Sequence, residues 1–229
     1  MSAPKRFYSD VTVEPVGGGF AIALDGRVAK TAGRNDLIAK GETLARALCD
    51  EWDAQTEEIR LDAMPLTRIH GFVIDAGDHG RGEFAETIAS YASSDLLCYR
   101  ADDQTLAARQ KALFDPFLDR AREDGLSFVI TEGLLPVEQP EDTLAAIRAR
   151  VAAMPTEELF PRKLLTEITG SAILALYAEK SPEDAIAAAR LDETYQAEKW
   201  GLDGEAEAKE RALRRDYDDV LRYFGLVSM

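Results

Sequence analysis

The first third of the chain reads as short extended runs separated by turns, and then the period changes. Val11-Thr12-Val13 alternates, Gly17-Gly18-Gly19 turns the chain, and Phe20-Ala21-Ile22-Ala23-Leu24 forms a second extended run. Asp25-Gly26, leading into Arg27-Val28-Ala29-Lys30-Thr31, is a strong two-residue hairpin signal. Asn35 to Ile38 adds a short extended piece, and Glu58 to Leu61 reads as a strand that closes this unit. Between them, from about Glu42 to Gln55, Leu44, Leu48 and Trp52 recur one helical turn apart.

From Met64 onward the pattern is almost wholly helical. Leu66, Ile69 and Val73 mark one helix, Phe84, Ile88 and Tyr91 the next, and Leu106, Leu113 and Phe117 a longer one with Pro116 as a site of bending. Leu126 to Thr131 is the exception, an expected strand returning to the N-terminal sheet. Pro136 and Pro140 bracket a loop, followed by helices at Leu144/Ile147/Val151 and at Leu164 through Tyr177. Ser181-Pro182-Glu183-Asp184 has the order of a helix start: a capping serine, proline at the first position, then acids near the positive helix end. That helix is expected to run to Gly201, and a last one from about Glu205 to Phe224 with Leu213, Tyr217, Val220 and Phe224 inward. The fold class is α+β: a small β-rich N-terminal domain over 1–62, then a mainly α-helical domain over 63–229.

Composition narrows the function. Forty-two acids against 27 lysines and arginines leave a net charge of −15. Such a chain lacks the cations that displace counterions from nucleic acid, and anionic membranes attract basic segments, not acidic ones. No stretch approaches the ~20 apolar residues that span a bilayer. Met1 to Phe7 lacks the apolar run of a signal peptide and is too short for a transit peptide. Cys49 and Cys98 sit in apolar helical patterns and read as buried free thiols of a reducing compartment. The expected location is the cytoplasm.

Chemical motifs are sparse. His70 and His79 have no metal-ligand spacing with cysteine or with each other. The triple glycine lacks a following lysine and helix, so it reads as a turn, not a phosphate cradle. Ser93-Ser94-Asp95 interrupts an apolar run and fits a helix cap, a buried polar network or a functional turn. Thr169-Gly170-Ser171 offers small residues for close helix packing. Paired acids such as Asp102-Asp103, Asp192-Glu193 and Asp218-Asp219 abound, as 42 acids make inevitable. No catalytic residue and no metal or cofactor site is expected.

Two segments stand out. Leu191-Asp192-Glu193-Thr194-Tyr195-Gln196-Ala197-Glu198-Lys199-Trp200-Gly201 sets acids beside large aromatics and ends on a helix-stopping glycine. Glu51-Trp52-Asp53-Ala54-Gln55 contains the other tryptophan, which fits either a core position or an aromatic anchor near the junction of the two units.

Several further segments fall in order with these two: Lys5-Arg6-Phe7-Tyr8, Leu24-Asp25-Gly26-Arg27, Lys30-Thr31, Met64-Pro65-Leu66-Thr67, Tyr91 through Arg100, Arg109-Gln110, Asp115-Pro116, Thr131-Glu132-Gly133 and Thr169-Gly170-Ser171. In that order and spacing the chain resembles the ATP synthase F-one complex assembly factor 2 family, from about residue 5 to 205. The lack of a mitochondrial presequence is similar to the bacterial members; Arg162-Lys163 matches no fixed pattern of the family. The resemblance implies a monomeric chaperone without enzymatic activity or cofactor. It would bind the free α subunit of the F-type ATP synthase and shield its apolar interface until the β subunit replaces it. Trp52, Asp192, Glu193, Tyr195, Glu198 and Trp200 are the expected protein-binding residues, aromatics as anchors and acids for steering. Two alternatives stand beside it: a small-molecule hydrolase using carboxylates in the interdomain cleft, and a structural subunit of a stable complex.

Overall fold

The computed structural model describes residues 4–133, 136–201 and 204–227. β1 (Val11–Val16) and β2 (Gly19–Leu24) form an antiparallel hairpin in which Val11 faces Leu24 and Val16 faces Gly19. Gly19 is required there: a Cβ would sit 2.2 Å from the carbonyl oxygen of Ala39. Asp25 and Gly26 both take positive φ, as a tight hairpin turn demands, and lead into β3 (Arg27–Val28). β4 (Ile38–Ala39) pairs with the other half of β2.

α1 (Glu42–Asp53) lies against β1 and β2 and buries Leu44, Leu48 and Trp52, the stripe its period predicts. The helical body follows: α2 (Pro65–Ala76), α3 (Arg81–Ala92), α4 (Gln104–Glu123), α5 (Glu141–Ala152), α6 (Thr156–Thr169), α7 (Ala172–Tyr177), α8 (Pro182–Ala189), α9 (Leu191–Trp200) and α10 (Gly204–Val227). α6 packs on α3, α7 and α10, and Tyr177, Tyr217, Tyr223 and Phe114 are buried. The architecture is the expected α+β, with a small sheet first and helices after it. The expected boundary at residue 62 falls in a 3-10 turn, Leu61–Ala63.

Five expectations are corrected. Glu58 to Leu61 is not a strand: Glu58 makes one isolated bridge to Lys5 before the 3-10 turn begins. Leu126 to Ile130 does not return to the N-terminal sheet. Its backbone is held by side chains, Ser127 by the Thr143 hydroxyl and Val129 by the Gln139 amide. β6 (Thr131–Glu132) then pairs in parallel with β5 (Tyr99–Arg100), forming a separate sheet. The helix expected from Leu164 to Tyr177 breaks at Gly170, which adopts left-handed φ, and Ser171 starts α7 by accepting from the Leu174 amide at 3.0 Å. The helix expected from Ser181 to Gly201 breaks at Arg190 into α8 and α9; Ser181 stands before α8, but its side chain makes no capping hydrogen bond. Cys98 is buried, its thiol pushed up to about 12 mainly by burial, whereas Cys49 is only half-buried.

Candidate functional site

The matched segments lock together through polar contacts. At the N-terminal junction the Arg6 guanidinium donates to the carbonyls of Tyr8, Ser9, Asp53 and Gln55, so it caps the exit of α1. The Tyr8 hydroxyl donates to the Trp52 carbonyl at 2.7 Å. Glu51 accepts from the amides of Leu66 and Thr67 at 2.8 and 2.7 Å, capping α2 from another helix; burial raises its pKa.

Asp95, wholly buried, accepts from the Ser171 hydroxyl at 2.7 Å and from the amides of Leu97 and Ile173. It therefore caps the 3-10 turn Leu96–Cys98 that follows α3 and also forms a buried network that joins this turn to α7. Burial lifts its carboxyl from 3.8 to about 6. His70 is another satisfied core group, held between the Tyr223 hydroxyl and the Ile38 carbonyl, and burial lowers its pKa.

Five of the six expected binding residues lie on α9, and the structure shows each one's internal partner or exposure. Tyr195 is 6% exposed and donates to Asp103 at 2.9 Å, with the cations of Arg109 and Lys199 over its ring. Asp192 accepts from the Gln110 amide at 2.8 Å; Gln110 in turn accepts from the Ala101 backbone. Glu198 pairs with Arg109 at 2.7 Å and Glu193 with Arg190 at 2.9 Å. Arg190 also reaches Glu210, tying α9 to α10. The Leu106 amide, then Lys199 and Tyr195, hold the Asp103 carboxyl well below the ordinary carboxylate range. Trp200 is different, at 76% exposed on the last turn of α9.

The sixth residue, Trp52, lies in another part of the molecule. It is 7% exposed and lines an open groove of about 970 Å³ between the sheet and α2. The lips are Phe7, Leu61 and Phe72, at 73%, 52% and 50% exposure. Phe72 is steadied by stacking on Phe160 at 4.4 Å between ring centres. The pattern around Trp52 gave no warning of this groove, because its walls come from the N-terminal segment, the hairpin and α2. Among the described residues no helix is long and apolar enough to cross a membrane, and no group of three or more His, Cys, Asp or Glu is placed to hold a metal.

The comparisons with known proteins set this geometry in a class, that of chaperones. The family model described as ATP12 chaperone protein matches residues 5–122. A mutant form of Atp12p from Paracoccus denitrificans superposes with a TM-score of 0.93 at 34% identity, over 99% of this chain and 100% of that one. Atp12 from the same organism gives 0.92 at 34%, over 98% of each chain. A candidate chaperone from Agrobacterium tumefaciens gives 0.86 at 40%, over 96% of this chain and 86% of that one. The chain belongs to the ATP12 chaperone family, a family of ATP synthase assembly.

Proposed function

We propose that this protein binds the free α subunit of the F-type ATP synthase, covers the apolar surface that a neighbouring subunit later occupies, and is displaced by the β subunit. The observation that carries the reading is the full-length match to Atp12 of Paracoccus denitrificans. The physical logic agrees with it: an unassembled subunit exposes apolar surface that invites aggregation, and a strongly acidic partner keeps the complex in solution. In this reading the protein is a monomer of the bacterial cytoplasm, catalyses no reaction and needs no cofactor.

The exposed Trp200 and the outer carboxylates of Glu193 and Glu198 form the contact that α9 offers. Asp192 and Tyr195 hold that helix in place. The test mixes the protein with isolated α subunit and follows light scattering and sizing. Suppressed scattering and a discrete complex that disperses on adding β subunit support the reading; unchanged aggregation with no complex ends it. Within it, Glu193→Lys is expected to weaken α-subunit binding and leave thermal unfolding unchanged. Equal loss of both would make Glu193 a structural residue.

A further inference from the structure

We propose that the groove between the sheet and α2 is a client-binding site for an extended segment of the unassembled partner polypeptide carrying a large apolar side chain and a carboxylate. This deepens the chaperone reading and rests on it.

Three observations select that occupant. The first is apolar surface: Phe7, Leu61 and Phe72 are large, exposed and gathered on one groove, whereas scattered singly they would need no explanation. The second is charge. In a chain of net charge −15, Arg27 and Arg68 line this groove, and neither side chain makes an ion pair or hydrogen bond among the described residues.

The groove's own acids, Asp25 and Asp75, are already engaged. Asp25 accepts from the amides of Ser9 and Asp10, which lower its pKa. Asp75 accepts from Thr31, the Gly33 amide and Asn35. Arg68 also borders a neighbouring cleft with Asp216 and Asp219. An incoming carboxylate therefore meets two guanidinium groups that feel nearby acids only through space and make no hydrogen bond among the described residues, so bidentate pairing is available to it.

The third observation is a missing hydrogen bond. The indole Nε1 of Trp52 is buried and has no partner among the described residues. An unpaired buried donor costs about 1–3 kcal/mol; a backbone carbonyl of an extended client segment reaches it once binding opens the wall that seals Nε1 from solvent. The volume of about 970 Å³ lies at the upper end of ordinary ligand pockets, ~300–1,000 Å³. The groove is half-open to solvent, so a segment of chain can enter it from the surface.

The experiment uses the full chain and isolated α subunit. A photo-crosslinking residue at position 61 is compared with one at position 200, and the attached α-subunit peptide is mapped. In parallel, affinity and scattering are measured for Leu61→Asp combined with Arg27→Glu, both exposed positions. The milder pair Leu61→Ser and Arg27→Gln serves if the first unfolds early.

The expected result is a crosslink from position 61 to one α-subunit segment holding an apolar residue and an acid. Affinity in the paired variant is expected to fall by about tenfold or more, with an unchanged melting temperature. Wild-type affinity in both paired variants overturns the groove while leaving the chaperone reading in place. A crosslink from position 61 to a second copy of this chain also overturns it, since the occupant is then a self-contact. If the wild-type protein binds no α subunit at all, the chaperone reading fails, and the groove proposal fails with it.

Discussion

The α9 surface and the groove beneath the sheet are built on opposite principles. On α9, Asp192, Glu193, Tyr195 and Glu198 all have partners within the protein; the Glu193 and Glu198 carboxylates stay at the surface, and Trp200 projects furthest outward. At the groove the large apolar side chains project outward, and among the described residues two arginines make no hydrogen bond or ion pair and one indole N–H is unpaired. Acids beside aromatics therefore do not by themselves make a binding face. Chemistry already satisfied inside the fold contributes to stability, while unsatisfied chemistry is left for a partner.

Substitutions can break that contrast, and the largest effects belong to the satisfied side. Tyr195→Ala removes a buried ring together with its bond to Asp103, and is expected to lower the unfolding free energy in urea by about 3 kcal/mol. A midpoint equal to that of the wild type would mean that Tyr195 is an outward contact after all.

The Asp95 network predicts a pH dependence of similar size. The fold raises this carboxyl from 3.8 to about 6, so its stabilising contribution is complete below about pH 4 and is lost as pH rises through about 6. At ~1.4 kcal/mol per unit, the wild type should lose roughly 3 kcal/mol relative to Asp95→Asn, which cannot titrate, between about pH 4 and pH 7. Parallel stability curves for the two proteins would show that Asp95 stays ionised throughout.

Ser171→Ala deletes the cap of α7 and one donor to Asp95, for an expected loss of about 1.5 kcal/mol in thermal or urea unfolding. Glu198→Gln weakens an exposed ion pair to Arg109, and a shift of only about 0.5 kcal/mol is expected, fading in high salt. Smallest of all is Leu61→Asp at the groove, within about 0.5 kcal/mol of wild type. A larger loss there would mean that the groove's lip supports the fold, and the contrast between the two regions would blur.

Much of the fold was legible because it is written locally. The Asp25-Gly26 turn, the Leu44/Leu48/Trp52 stripe and the Gly201 stop each depend on the conformational preference of a few neighbouring residues. The breaks at Gly170 and Arg190 escaped the helical pattern because apolar residues continue across both. What ends the helices is a left-handed glycine in one case and, in the other, an Arg190 backbone that leaves the helical region at φ −111° and ψ 9°. The segment from Leu126 to Ile130 has the composition of a strand, but the side chains of Thr143 and Gln139 take over its backbone hydrogen bonds.

The candidate site divides in the same way. The order of short segments pointed to the family and to α9, and the full-length match bears out the family. The pattern could not show that Tyr195 turns inward, that Trp52 lies in a separate groove, or that Phe7 and Phe72 share it.

By itself, the sequence determined the α+β order of elements, most helix positions, the acidity and the family, since these follow from local periodicity, composition and the succession of motifs. The tertiary structure alone decided which charged groups are already neutralised and which apolar ones remain uncovered. The reason is physical: pairing and burial depend on residues far apart in the chain, such as Arg109 with Glu198, Ser171 with Asp95 and Phe72 with Phe160. Only packing brings such pairs within hydrogen-bond or van der Waals reach.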